Sequence, residues 1–171
     1  MEIQQLPEFK NKPEPFTLSG DESVSQAIVV MAEKNIGSVV IVDTNFNVKG
    51  IVTERDLLRR LLGQRLDPDK TLLSSIMTKE PLSAFVNDDH TDWLRMMSNK
   101  RFRHLPVIDN DGKLINVMSF GDFVSHSWPE LLLMVGNKTK ESIIGPAGQL
   151  PILFFGLIAY SLIFFAIIKY L

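Results

Sequence analysis

Between Glu22 and Asn35 the apolar residues Val24, Ala27, Ile28, Met31 and Ala32 recur every three or four positions, the period of a helix that buries one face. From Thr91 to Arg101, Trp93, Leu94, Met96 and Met97 do the same and predict a second helix. Each is followed by a short aliphatic run, SVVIVD (Ser38 to Asp43) and HLPVID (His104 to Asp109). These runs close with TNFN and NDGK, which suit hairpin turns into GIVT (Gly50 to Thr53) and NVMS (Asn116 to Ser119). Trailing helices are predicted over Glu54 to Leu62 and Phe120 to Ser125. A further strand is expected ahead of each leading helix, at Phe16 to Leu18 and Leu82 to Phe85.

The pattern repeats at a fixed offset. Asp56 and Asp122 stand 66 residues apart, as do Thr53 and Ser119, Asp43 and Asp109, Lys34 and Lys100, and Met31 and Met97. A gapless register with low identity points to two copies of one folded unit. One copy alone buries too little apolar surface to be stable, so the two are expected to pack as one two-unit globule of the α/β (α+β) class. The boundaries read as an N-terminal extension over 1–13, repeat 1 over 14–73 and repeat 2 over 74–126, then a linker over 127–149 and an apolar tail over 150–171.

The tail changes the picture. Ile152 to Ile168 runs seventeen residues without a charge, and Leu150 to Leu171 carries only Lys169. At about 1.5 Å per residue this stretch reaches roughly 33 Å, enough for a hydrocarbon core of about 30 Å. A single C-terminal transmembrane helix, acting as a tail anchor in lipid, is therefore expected. Lys138 and Lys140 just before it favour a single-pass orientation with the repeats on the cytoplasmic side. The opening MEIQQLPEFKNKPEPF has neither the basic nor the apolar region of a secretion signal.

Composition narrows the chemistry. A formal net charge of −2 gives no global basic field for nucleic acid. With no cysteine in the chain there is no disulfide framework or thiolate cage, and His90, His104 and His126 lack ligand spacing, so no metal is predicted. Neither a P-loop, a nucleophile elbow nor a nucleophile–base pair is readable, so the chain is expected not to be an enzyme.

One stretch, VKGIVTERDLLRRL (Val48 to Leu61), places Thr53 and Asp56 three apart where a strand ends and a helix begins. A hydroxyl beside the unpaired N–H groups of a helix start suits an anion, and a carboxylate, being acceptor-only, suits a vicinal diol. The same two residues also suit a capping box with no ligand at all. Both readings stand on the residues, and both apply to Ser119 and Asp122 in the second copy.

NIGSVVIVD with GIVTERDLL, the linking SSIMTKEPL, and RFRHLPVIDNDGKLINVMSFGDFV together resemble a paired CBS (cystathionine-β-synthase) domain module over about residues 14 to 126. The resemblance implies a non-catalytic module that binds an adenine nucleotide (AMP, ADP, ATP or an adenine dinucleotide) in one or both clefts between the repeats. In that reading Asp56 and Asp122 take ribose hydroxyls and Thr53 and Ser119 take phosphate, while backbone near Ser38 and Gly50 approaches the base. Arg55, Arg103 and a protonated His104 supply phosphate charge, or else solvate a face. Asn116 stands where the first copy has Gly50, and its side chain is expected to crowd the second cleft. The module is expected to form a homodimer and, at the membrane, to regulate an integral membrane protein. The rival is a structural accessory subunit that uses the module as a protein-binding surface without ligand.

Overall fold

The computed structural model describes residues 1–126, which form one compact unit. The linker and the apolar tail lie outside the described residues. Among the described residues no helix is long and apolar enough to cross a membrane.

The periodic segments fold as their spacing predicts. In repeat 1, β1 (Thr17–Leu18) runs parallel to β2 (Ser38–Val42), which pairs antiparallel with β3 (Val48–Thr53), while α2 (Val24–Lys34) lies between β1 and β2 in the chain. In repeat 2 the same arrangement joins β5 (Ala84–Phe85), α5 (His90–Lys100), β6 (His104–Ile108) and β7 (Leu114–Ser119). Ser23 caps α2 in a capping box with Gln26, and Asp89 caps α5 by accepting from the Thr91 and Asp92 N–H groups. Both helices end on a left-handed residue, Asn35 (φ 50°) and Arg101 (φ 56°), one offset apart. The trailing helix of repeat 1, α3, starts as α-helix over Glu54–Asp56, widens into a π turn over Leu57–Leu61 and tightens over Leu62–Gln64. In repeat 2 the trailing helix begins at Phe120 and continues through the last described residue.

Strand alternation assigns the two faces of β2 to different tasks. Val39 and Ile41 join Ala27, Met31, Val52 and Leu61 in the core beneath α2, while Val40 turns the other way to meet Ile51 and Leu114 of the opposite repeat. This second face, with Val42, Val48 and Val117 around it, is the seam between repeats. The hairpin tips also meet: the Leu114 N–H donates to the Phe46 carbonyl at 3.0 Å, and Asn47 bridges to Lys113.

Two short helices were not predicted. They are α1 (Pro7–Lys10) and α4 (Leu73–Ile76), again 66 residues apart; Phe9 of α1 packs against the core of repeat 2, and α4 lies in the core of repeat 1. Leu73 and Ile76, at the boundary drawn between the repeats, are buried in the core of repeat 1, and β4 (Thr78–Lys79) extends its sheet beside β3. Residues 1–13, read as an extension, instead close repeat 2. Ile3 and Leu6 are fully buried beside Ala84, Met97, Leu105, Met118 and Phe123. The Ile3 and Gln4 N–H groups donate to the Asp88 and Val86 carbonyls, both at 2.9 Å. The reading as an extension fails because the partners of Ile3 and Leu6 lie some eighty or more positions away, beyond the reach of local periodicity.

Candidate functional site

Thr53 is the hinge of the site. It is the last residue of β3, in register with Ser38, and its extended backbone (φ −119°, ψ 165°) serves as the cap of α3. The Thr53 N–H and hydroxyl both donate to Asp56 Oδ2, at 3.0 and 2.7 Å, and the Asp56 N–H donates to Thr53 Oγ1 at 3.4 Å. Arg60 Nη1 stands 3.3 Å from Asp56 Oδ1 and donates to the Ile76 carbonyl at 2.7 Å. The capping box is therefore formed. It does not use up the carboxylate, which has about four acceptor sites: three partners leave one open on Oδ1. Although only 8% exposed, Asp56 still reaches the wall of a cavity.

That cavity, of about 940 Å³, lies between the repeats. Repeat 1 contributes Thr53, Arg55, Asp56, Arg59 and Arg60 from the strand-to-helix junction, and repeat 2 contributes Lys100, Arg103 and His104. Ile51, Leu58, Leu82 and Phe102 give it an apolar wall. Arg55 is steadied across the repeats by donating to the Arg101 carbonyl at 3.2 Å.

The second cleft, related to the first by the 66-residue offset, is much smaller, about 240 Å³, below the roughly 300–1,000 Å³ common for small-molecule sites. Ser119 and Asp122 form the same junction: the Ser119 N–H donates to Asp122 Oδ2 at 2.6 Å and the Asp122 N–H to Ser119 Oγ at 3.2 Å. Here, however, Lys12 ion-pairs with Asp122 Oδ2. Lys12 occupies the position equivalent to Thr78 of the first cleft, so here a cation of the chain itself stands against the carboxylate. Burial pushes the Asp122 carboxyl up, but the Lys12 and Ser119 hydrogen bonds outweigh it and hold the group below its ordinary value.

The predicted residues therefore divide. Thr53, Asp56, Arg55, Arg103 and His104 meet in the first cleft, while Ser38 and Ser119 line the second, with His104 on the wall of both. Gly50 lines neither. A Cβ there would stand 2.4 Å from Met77 Sδ and 3.1 Å from the Thr78 carbonyl, so the missing side chain makes room for the neighbouring segment rather than for a base. At the equivalent position Asn116 reaches across instead, donating from Nδ2 to the Phe9 carbonyl at 3.3 Å. The expected charge on His104 meets a physical obstacle. Burial is the main influence and lowers its pKa, with the Glu54 carboxylate pulling the other way, so at neutral pH the ring is a hydrogen-bonding group rather than a cation.

Three further cations were missed as site residues: Arg59, Arg60 and Lys100. For the first two a signal existed, since residues three and four beyond Asp56 share its helix face. Lys100 had none, because docking of the second repeat brings it there.

Removing Lys12 tests the closure of the second cleft. In the folded protein Asp122 has a depressed pKa, so its pairing contributes stability above the ordinary carboxyl value of 3.8 and loses it as pH falls through the folded value. Lys12→Met is expected to cost about 1–2 kcal/mol at pH 7 by leaving a half-buried carboxylate short of a partner, with the gap from wild type closing as Asp122 becomes protonated. Urea unfolding of both proteins at neutral and acid pH checks this, and a gap that does not narrow toward acid pH would exclude the ion pair as its cause.

The chain is 29% identical over 137 residues to a 17.7 kDa protein of Acidianus ambivalens, covering 80% of this chain and 81% of that one. A solved CBS-domain containing protein of Agrobacterium tumefaciens matches with a TM-score of 0.65 at 32% identity, over 74% of this chain and 98% of its own. A CBS domain protein of Pyrobaculum aerophilum, complexed with AMP, matches with a TM-score of 0.63 at 24% identity, over 71% and 89%. The CBS domain family model matches once per repeat, on residues 8–63 and 73–128, and the chain belongs to the CBS domain family as a tandem pair.

Proposed function

We propose that this is a non-catalytic regulatory protein whose first cleft binds an adenine nucleotide. The observation that carries the reading is the cavity of about 940 Å³, which holds a hydroxyl and a carboxylate at a helix start, an apolar wall and a set of cations. These match a ribose diol, a base and phosphate respectively. The AMP complex of the Pyrobaculum aerophilum protein supports the ligand class on a similar fold.

The reading includes a membrane tether through residues 150–171, supported by the uncharged run Ile152 to Ile168, with the module on the cytoplasmic side and an integral membrane protein as the regulated partner. It also includes a homodimer through the modules, supported by Leu58 and Leu62, 63% and 61% exposed on α3. Regulation would proceed by population shift, since ligand between the repeats favours one packing of the two and only that difference in affinity can be passed on. The alternative of a protein-binding subunit with filled clefts draws support from the second cleft alone, where Lys12 holds Asp122.

Thermal unfolding of the full chain with AMP, ADP, ATP or an adenine dinucleotide is the test. At 100 times Kd a ligand contributes about 2.7 kcal/mol, a rise of about 5–10 °C for a chain of this size. No rise with any of the four overturns the proposal in favour of the ligand-free subunit.

A further inference from the structure

We infer that the first cleft discriminates by phosphate-chain length, taking an adenine nucleotide with three or more phosphoryl groups in preference to the monophosphate. This rests on the nucleotide reading above and goes beyond it by naming what the cleft selects and which side chains select it.

Five cationic side chains line the cavity against two carboxylates, a net of three positive charges in one concave wall. The two carboxylates do not cancel them evenly. Asp56 is matched by Arg60 and by both donors of Thr53. Glu54 lies toward Gly37 and His104, its Cδ 3.3 Å from the point a Cβ on Gly37 would occupy. Arg55 is oriented by the Arg101 carbonyl but keeps its full charge. Among the described residues, Arg59, Lys100 and Arg103 have no ion pair and no side-chain hydrogen-bond partner. They belong to different repeats: Arg59 follows Asp56 by one helical turn on α3, whereas Lys100 and Arg103 flank the left-handed end of α5.

Like charges gathered in a concave surface with apolar walls repel one another more than they would in open solvent, so an anion that answers them all is favoured over one that answers some. A phosphomonoester carries about −1.5 to −2 charges at pH 7, and each added phosphoryl group brings about one more. A monophosphate therefore leaves part of the net charge unanswered, and a triphosphate answers it. Size permits the longer ligand, since about 940 Å³ lies near the upper end of ordinary small-molecule sites. Arg59, Lys100 and Arg103 are thus the specificity-determining residues.

The test is isothermal titration of the full chain in detergent, at low and physiological salt, with adenosine, AMP, ADP and ATP. Affinity is expected to rise along the series, by at least about tenfold from AMP to ATP, the yield of one charge-assisted hydrogen bond, and the ATP advantage is expected to shrink as salt is added. In the double variant Arg59→Gln, Lys100→Gln, the ATP affinity should fall to about that of AMP while adenosine binds as before. Equal affinity for AMP and ATP, or an ATP advantage that survives the double variant, overturns this inference and leaves the nucleotide reading standing. Failure of all four compounds to bind overturns this inference, and failure of an adenine dinucleotide as well overturns both.

Discussion

Replacing Asp56 by alanine is expected to weaken nucleotide affinity by about 10- to 150-fold and to remove at least about half of the nucleotide-dependent rise in melting temperature. The magnitude follows from losing one hydrogen bond to the open acceptor site on Asp56 Oδ1, worth about 1.5–3 kcal/mol because the acceptor is charged. The substitution has a second, separable effect. Asp56 also closes the capping box with Thr53, and loss of such a cap costs about 0.5–2 kcal/mol whether or not ligand is present. Arg60 is not stranded, because it keeps its bond to the Ile76 carbonyl. Asp56→Asn separates the two effects: it retains an oxygen for the Thr53 N–H and so most of the cap, but surrenders the charge that strengthens bonds to a diol. The expected order of binding is wild type, then asparagine, then alanine, while unliganded stability falls mainly in the alanine variant. A titration giving Asp56→Ala a Kd within about threefold of wild type would reduce Asp56 to a capping residue.

The largest loss of stability is expected from a region that carries no site residue. Ile3 and Leu6 are both fully buried in the core of repeat 2, and truncating a buried aliphatic residue to alanine costs about 2–5 kcal/mol. The double variant Ile3→Ala, Leu6→Ala should lose about 4–10 kcal/mol, comparable with the whole 5–15 kcal/mol of an ordinary domain. Repeat 2 is then expected to be largely unfolded at room temperature. Because Lys12 follows directly on the segment these residues anchor, its grip on Asp122 should go with it. Urea unfolding followed by circular dichroism, with the exposed neighbours Gln4→Ala and Gln5→Ala as controls, measures the effect. A loss below about 1 kcal/mol would mean that residues 1–13 are an appendage after all.

Much of the fold was legible because it depends on neighbours in the chain. The three-to-four spacing of Val24, Ala27 and Met31, the aliphatic runs at Val39 and Leu105 and the turn residues after Asp43 and Asp109 each encode one element within a dozen positions. The site was legible to the same depth. Thr53 with Asp56 and Ser119 with Asp122 form the strand-to-helix junctions predicted for them, and those junctions are local. The residues alone could not separate capping from ligand contact. Asp56 caps its helix and still lines a cavity, which shows that the two roles are not exclusive.

The sequence by itself determined the repeated unit, its order of helices and strands and the position of a hydroxyl and a carboxylate at each trailing helix, because periodicity, turn chemistry and capping act over a few residues. Asn116 in place of Gly50 already marked the second copy as different, but only the tertiary structure decided how the two clefts differ. Lys12 reaches Asp122 across 110 residues, and Lys100 and Arg103 join Arg59 only when the second repeat docks on the first. Ile3 and Leu6 find their core in the more distant half of the described chain. Such contacts leave no trace in local spacing, since their partners are chosen by how the faces of two finished units fit together.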